Sequence, residues 1–217
     1  RSGDLKTGIT VSISSPRDRA MVTYLGAITA LEADEVTDEM LAGFSHLHVS
    51  SYYLQERLRP GVRGLFARAH RLGLTTSLDP GCDPSLEWRP DILATLEETD
   101  VFFPNEVELR AIAKREGFAE ALAALANGRT LTVAKLGRAG AMALENGRPL
   151  SVPAFPVQAV DTTGAGDSFD AGFLYAYVNG LPLYDCLRYG NACGGLATTA
   201  AGGASAAPTL GEIQPWL

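Results

Sequence analysis

Apolar and polar positions alternate strictly near the start of the chain, then give way to helical spacing. Thr7 to Ser14 reads TGITVSIS and Ala20 to Ala27 reads AMVTYLGA, with Ser15-Pro16-Arg17-Asp18 between them. Period-two alternation marks half-buried strands, and the intervening residues have turn chemistry, so the pattern predicts a β-hairpin over residues 7–27. From Leu47 onward the texture changes. Short apolar runs at Leu47–Ser51, Leu74–Leu78, Val101–Phe103, Thr130–Ala134 and Ala141–Leu144 read as strands. Between and after them, Pro60–Leu72, Ile92–Glu98, Glu106–Glu116, Ala119–Ala126, Asp167–Val178 and Leu183–Ala200 have helical spacing. A further strand-like segment covers Phe155 to Val160.

Strands alternating with helices imply βαβ units and a parallel sheet with helices on both faces. The hairpin does not follow that alternation, and such excursions commonly serve as lids or interfaces. We find no internal repeat and no low-complexity linker. The expectation is one α/β domain over residues 1–217, with the hairpin as a lid inside it.

Composition agrees with this reading. The chain has 217 residues, 46% hydrophobic and 20% charged, which is ordinary for a globular domain. The net charge is −7, from 25 acidic and 18 basic residues, and this argues against a nucleic-acid partner, which needs a basic face. A phosphate ligand stays open, because an acidic protein can be locally positive. No run approaches the roughly 18 apolar residues of a membrane span, so no membrane partner is expected. The three cysteines, Cys82, Cys186 and Cys193, are scattered and form neither a disulfide framework nor a zinc pattern. A reducing cytoplasm fits that usage. His46, His48 and His70 have no metal-ligand spacing and read as structural.

Chemistry concentrates in Asp161-Thr162-Thr163-Gly164-Ala165-Gly166-Asp167-Ser168-Phe169, which precedes an apolar helix. Two glycines allow close backbone approach to a ligand, and the amides at a helix start form an anion site. Asp167 falls in the first helical turn, where a carboxylate can accept a proton from a hydroxyl during phosphoryl transfer. A bare GxGD would be explained equally by an Asp cap on a strand-to-helix turn. The full nine-residue run closely resembles the second signature of the PfkB (ribokinase-like) carbohydrate kinases.

That resemblance implies a three-layer α/β/α sandwich with a mostly parallel central sheet and a small hairpin lid. It implies ATP-dependent phosphorylation of a hydroxyl on a small sugar, with ATP and Mg²⁺ as cofactors. Asp167 would be the catalytic base, and Gly164, Ala165 and Gly166 the anion hole.

Other residues acquire roles beside their local explanations. Asn105-Glu106-Val107-Glu108 is a capping box by spacing, and in the family an NxxE here organises Mg²⁺ and nucleotide phosphates. Glu108 could act on Mg²⁺ through water. Lys135, Gly137 and Gly140 match a Gly-x-x-Gly element along the nucleotide, but Lys135 stands where the family often has Thr, so it either contacts phosphate or faces solvent. Asn191 matches a polar position near the adenine or ribose, and packing between helices explains it as well. Asp161 and Thr163, with backbone near Gly202, match a monovalent-cation site for K⁺. Asp161 could instead cap the glycine loop. The DP loop at Asp79-Pro80 and Trp88 reads as structural.

Family chains are longer at the N-terminus, where a Gly-Gly signature and an Asp hold the sugar, and neither is present here. The chain thus reads as N-terminally incomplete, either a fragment of a longer kinase or a naturally shortened relative, with a homodimer through the lid expected to cover apolar surface. Two other readings were weighed: a nucleoside kinase of the same fold, and an incompetent nucleotide-binding or assembly protein. A dinucleotide oxidoreductase is excluded, because its G-x-G-x-x-G would follow the first strand.

Overall fold

A computed structural model describes residues 4–14 and 19–217. They group into two compact units, residues 1–100 and 101–217, taken in turn below.

The first unit begins with the hairpin, β1 (Ile9–Ser14) and β2 (Arg19–Tyr24), antiparallel with Ile9 opposite Tyr24 and Val11 opposite Val22. The turn read at residues 15–18 lies outside the described residues. Period-two geometry puts Ile9, Val11, Ile13, Val22 and Tyr24 on one face, and all five are 55–64% exposed. Thr10 and Thr23 pair on the other face through a 3.0 Å hydroxyl bond.

After α1 (Asp38–Leu41), strands β3 (His46–Val49) and β4 (Thr75–Leu78) run parallel, joined through α2 (Val62–Arg71). Helix α2 buries Val62, Leu65, Phe66 and Ala69, the i, i+3, i+4, i+7 stripe expected of an amphipathic helix. Helix α3 (Asp91–Leu96) buries Ile92 and Leu96. The DP loop is structural, as its sequence suggests. The buried Asp83 accepts bonds from Ser85 N, Ser85 Oγ and Trp88 N at 2.8–2.9 Å, and Trp88 stacks edge-on against Tyr53.

The second unit has β5 (Val101–Phe102) parallel to β6 (Leu131–Lys135), followed by antiparallel β7 (Ala141–Glu145) and β8 (Arg148–Val152). Between β5 and β6 lie α4 (Glu106–Ala113) and α5 (Phe118–Ala124), packed on β6 and β7. Helices α6 (Ala165–Val178) and α7 (Leu183–Ala197) pack tightly on each other, and α7 also contacts β7 and β8. A short α8 (Leu210–Ile213) closes the chain. One sheet face, with Val101, Phe103, Val133, Ala141, Ala143 and Val152, forms a core with Phe169, Phe173, Ala176, Cys186 and Leu187. Side chains alternate across a strand, so Phe102, Thr132 and Ala134 turn to the other face, and all three are buried.

Two sequence expectations need correction. The strand-like segment Phe155–Val160 forms no strand; the last strand is β8, and residues 153–160 carry no regular element. Pro153 and Pro156 supply no N–H for a ladder there. Helix α6 begins at Ala165 rather than Asp167, so Gly166 lies inside the first turn.

Candidate active site

The glycine loop is built from backbone constraints. Gly164 adopts φ +74°, a left-handed conformation that favours glycine, and caps α6. A Cβ there would also stand 3.0 Å from Cα of Gly203, so a side chain would be crowded as well as strained in conformation. The first amides of an α-helix have no carbonyl partner within the helix, so the start of α6 turns N–H groups and the positive dipole end outward. Asp167 is exposed on that first turn.

Asp161 ties the loop to the segment after α7. One carboxylate oxygen accepts Thr163 N at 2.9 Å and the other accepts Gly202 N at 3.1 Å. Val160 N and Asp161 N both donate to Thr198 O at the end of α7. The three residues read as a cation site are thus brought together. Asp161 also caps the loop, as the simpler explanation required.

A cavity of about 560 Å³ adjoins the helix start, lined among others by Lys135, Gly137, Gly140, Ala165, Gly166 and Asn191. Gly140 shapes one wall: at φ +94°, a Cβ would meet Val152 O at 2.1 Å and Ala154 N at 2.6 Å. The buried Asn191 holds the same stretch, donating from Nδ2 to Val152 O at 3.0 Å and Pro153 O at 3.2 Å. It therefore packs the helix onto the chain and borders the cavity at once. Gly194 lets α7 approach α6, since a Cβ would sit 3.0 Å from Ala165 O.

Asn105 and Glu108 form the capping box read from their spacing. Asn105 Oδ1 accepts Val107 N and Glu108 N at 2.9 and 3.0 Å, while Glu108 accepts Asn105 N at 2.8 Å and Asn105 Nδ2 at 2.6 Å. Neither residue lines the cavity. The backbone nevertheless brings them to its edge, because Lys135 N donates to Pro104 O at 2.9 Å and Asn105 bridges to Lys135 in parallel. Lys135 does not face solvent. Its ammonium donates to both carboxylate oxygens of Asp170 at 3.1 Å and lies 6.0 Å from the ring centroid of Phe103. Asp170 was missed in the sequence. The available signal is an acid one turn into an otherwise apolar helix, which needs a partner if buried.

The site residues fit a nucleotide. The cavity is large enough, its glycines permit close approach, and a lysine stands at its floor. Among the described residues no cluster of three acidic, His or Cys side chains could hold a metal ion alone. The histidines are structural: His46 bonds Thr75 Oγ1 and Ser77 Oγ, His48 bonds Ser77 Oγ, and His70 bonds Asp100 and Thr76. Among the described residues no helix is long and apolar enough to cross a membrane.

The glycine-loop helix start and the α/β layers beside it define an α/β fold of the ribokinase-like kind. The chain belongs to the pfkB family of carbohydrate kinases, whose model matches residues 1–210. It is 34% identical over 193 residues to an ATP-dependent ribose-1-phosphate kinase from Halopiger xanaduensis, covering 88% of this chain and 61% of that protein. A structure from E. coli assigned as ribokinase II, in complex with ATP and Mg²⁺, superposes with TM-score 0.83 at 25% identity, over 95% of this chain and 70% of that one. A fructokinase from Vibrio cholerae with fructose, ADP and calcium ion bound superposes with TM-score 0.81 at 25% identity, over all of this chain and 75% of that one. Across five curated relatives, the chain spans 43 to 72% of their length.

Proposed function

We propose that the protein is an ATP-dependent kinase that phosphorylates a hydroxyl group of a small sugar. The observation that carries this reading is the α6 start: an anion-binding turn forced by Gly164, with the exposed carboxylate of Asp167 in its first turn. Asp167 accepts the proton of the attacking hydroxyl, and the amides of Gly164, Ala165 and Gly166 meet the negative charge of the transferring phosphoryl group. A loose phosphoryl-transfer transition state requires little early deprotonation, so a carboxylate suffices as the base. Gly137, Gly140 and Asn191 border the nucleotide, and Lys135 contacts its phosphates. Mg²⁺, when bound, would neutralise charge on the phosphates; Glu108 would be the residue to hold it through water, and Asn105 orients Glu108.

Three further readings belong to this proposal. Asp161, Thr163 and the backbone at Gly202 form a K⁺ site behind the anion hole. Activity unchanged on replacing K⁺ with a large organic cation would count against it. The apolar face of the hairpin pairs with a second copy of the chain, because five exposed apolar side chains on one face need cover. A monomeric mass by light scattering at tens of micromolar would exclude that dimer. The compartment in this reading is a reducing cytoplasm, which the scattered spacing of Cys82, Cys186 and Cys193 fits.

The test is ADP release from Mg·ATP with a panel of pentoses, hexoses, sugar acids and nucleosides, run with wild type and Asp167→Asn. We expect turnover with a sugar, lowered about 10²- to 10⁴-fold or more in the variant. Turnover only with a nucleoside would move the substrate class. Binding of Mg·ATP without turnover on any compound would favour an incompetent nucleotide-binding protein.

A further inference from the structure

The Lys135–Asp170 pair has no obvious structural purpose. Both side chains are removed from water, at 12% and 3% exposure. Replacing such a pair with apolar groups of similar volume is commonly neutral or stabilising, so packing alone does not explain it. Its position is also electrostatically adverse. Lys135 Nζ would stand 3.5 Å from a Cβ on Gly166, so the ammonium sits over the glycine in the first turn of α6. That is the positive end of the helix dipole, the wrong end for a cation. Asp170 follows Gly166 by four residues, which puts both on one face of α6. The ammonium lies within van der Waals reach of that glycine, and Asp170 holds it there. The same ammonium borders the cavity.

We propose that Asp170 is the resting counter-ion of Lys135, keeping the ammonium beside the anion hole until the nucleotide polyphosphate takes a share of its charge. The inference rests on the nucleotide site proposed above and deepens it. Lys135 is the phosphate ligand, and Asp170 is a positioning residue that competes mildly with the phosphates. A cation crowded against a helix N-terminus is stabilised by an added anion more than an isolated lysine would be. Affinity should therefore rise with the number of phosphates on the nucleotide, and most of that rise should run through Lys135.

The experiment measures Mg·ATP and AMP binding by calorimetry, with melting temperatures, for wild type, K135M/D170L and Asp170→Asn. The double variant replaces the pair with apolar side chains. We expect it to fold, to bind Mg·ATP at least tenfold more weakly, and to bind AMP within threefold of wild type. Equal changes for ATP and AMP, or no change in either, would overturn the proposal, since a purely structural pair would not discriminate by phosphate count. Asp170→Asn keeps the ammonium but removes its counter-ion. It should melt earlier without ligand and bind Mg·ATP at least threefold more tightly; unchanged or weaker binding would overturn the proposal even if the double variant failed to fold. Failure of wild type to bind Mg·ATP would remove the nucleotide site itself, an outcome separate from these.

Discussion

Gly164 and Gly203 meet backbone to backbone: a Cβ on the first would stand 3.0 Å from Cα and 3.1 Å from the carbonyl carbon of the second. Gly164→Ala must therefore strain φ and displace main chain. We expect a loss of about 2–4 kcal/mol by denaturant titration, with activity down tenfold or more. Gly128 also has positive φ, +79°, but nothing lies within 4 Å of its Cβ position. Gly128→Ala should cost only the backbone term, about 1 kcal/mol, and leave activity unchanged. Equal effects from the two substitutions would refute the contact argument.

Helices α6 and α7 approach through Gly172, where a Cβ would lie 2.6 Å from Cys193 Sγ and 2.7 Å from Tyr189 O. Thiol and carbonyl crowd the site together, so trimming Cys193 alone cannot clear it. Gly172→Ala should destabilise by about 1–3 kcal/mol, and adding Cys193→Ala should not restore wild-type stability. Thermal melts of the three variants would check this.

His46 gives the first unit a pH dependence. Burial, with a smaller contribution from the charge of His48, pushes its pKa down from 6.5 to about 4. The unfolded chain thus binds a proton more readily, and stability is complete above pH 6.5 and falls as pH drops toward 4. The loss is at most about 3 kcal/mol for this group. Between pH 7 and 4.5, His46→Asn should show a shallower decline than wild type in urea titrations. A steeper decline, or parallel curves, would contradict the assignment.

The cysteines should divide by reactivity. Burial pushes the thiols of Cys186 and Cys193 up to about 11, with Asp185 adding to the effect at Cys186. Cys82 is exposed. At pH 7.5 a thiol reagent should label Cys82 within minutes and the other two only on unfolding. Peptide mapping after a brief exposure would identify the labelled residue.

Local chemistry was readable in the sequence. The capping box at Asn105 and Glu108, the turn at Gly164 and the period-two hairpin follow from neighbouring residues, so spacing alone determines them. The stretch at Phe155–Val160 is apolar enough for a strand, but Pro156 within it and Pro153 before it remove ladder donors, while Pro149 disguises β8. Lys135 was left between phosphate and solvent because its partner is 35 residues away in sequence. Asn191 was ambiguous for a similar reason. Its two acceptors lie on a chain segment 38 and 39 residues earlier, and no local pattern encodes that contact.

The cavity beside α6 is lined differently from the molecule that carries it. The chain as a whole is at −7, yet the ionisable side chains lining the cavity are Lys135 and Arg138, with no acid or histidine among the lining residues. Asp170 balances Lys135, which leaves Arg138 as the lining cation that can focus field lines toward one place on an otherwise acidic molecule. Such a trap weakens as salt rises. If the cavity takes the nucleotide as proposed, higher ionic strength should slow its capture more than it weakens the bound complex.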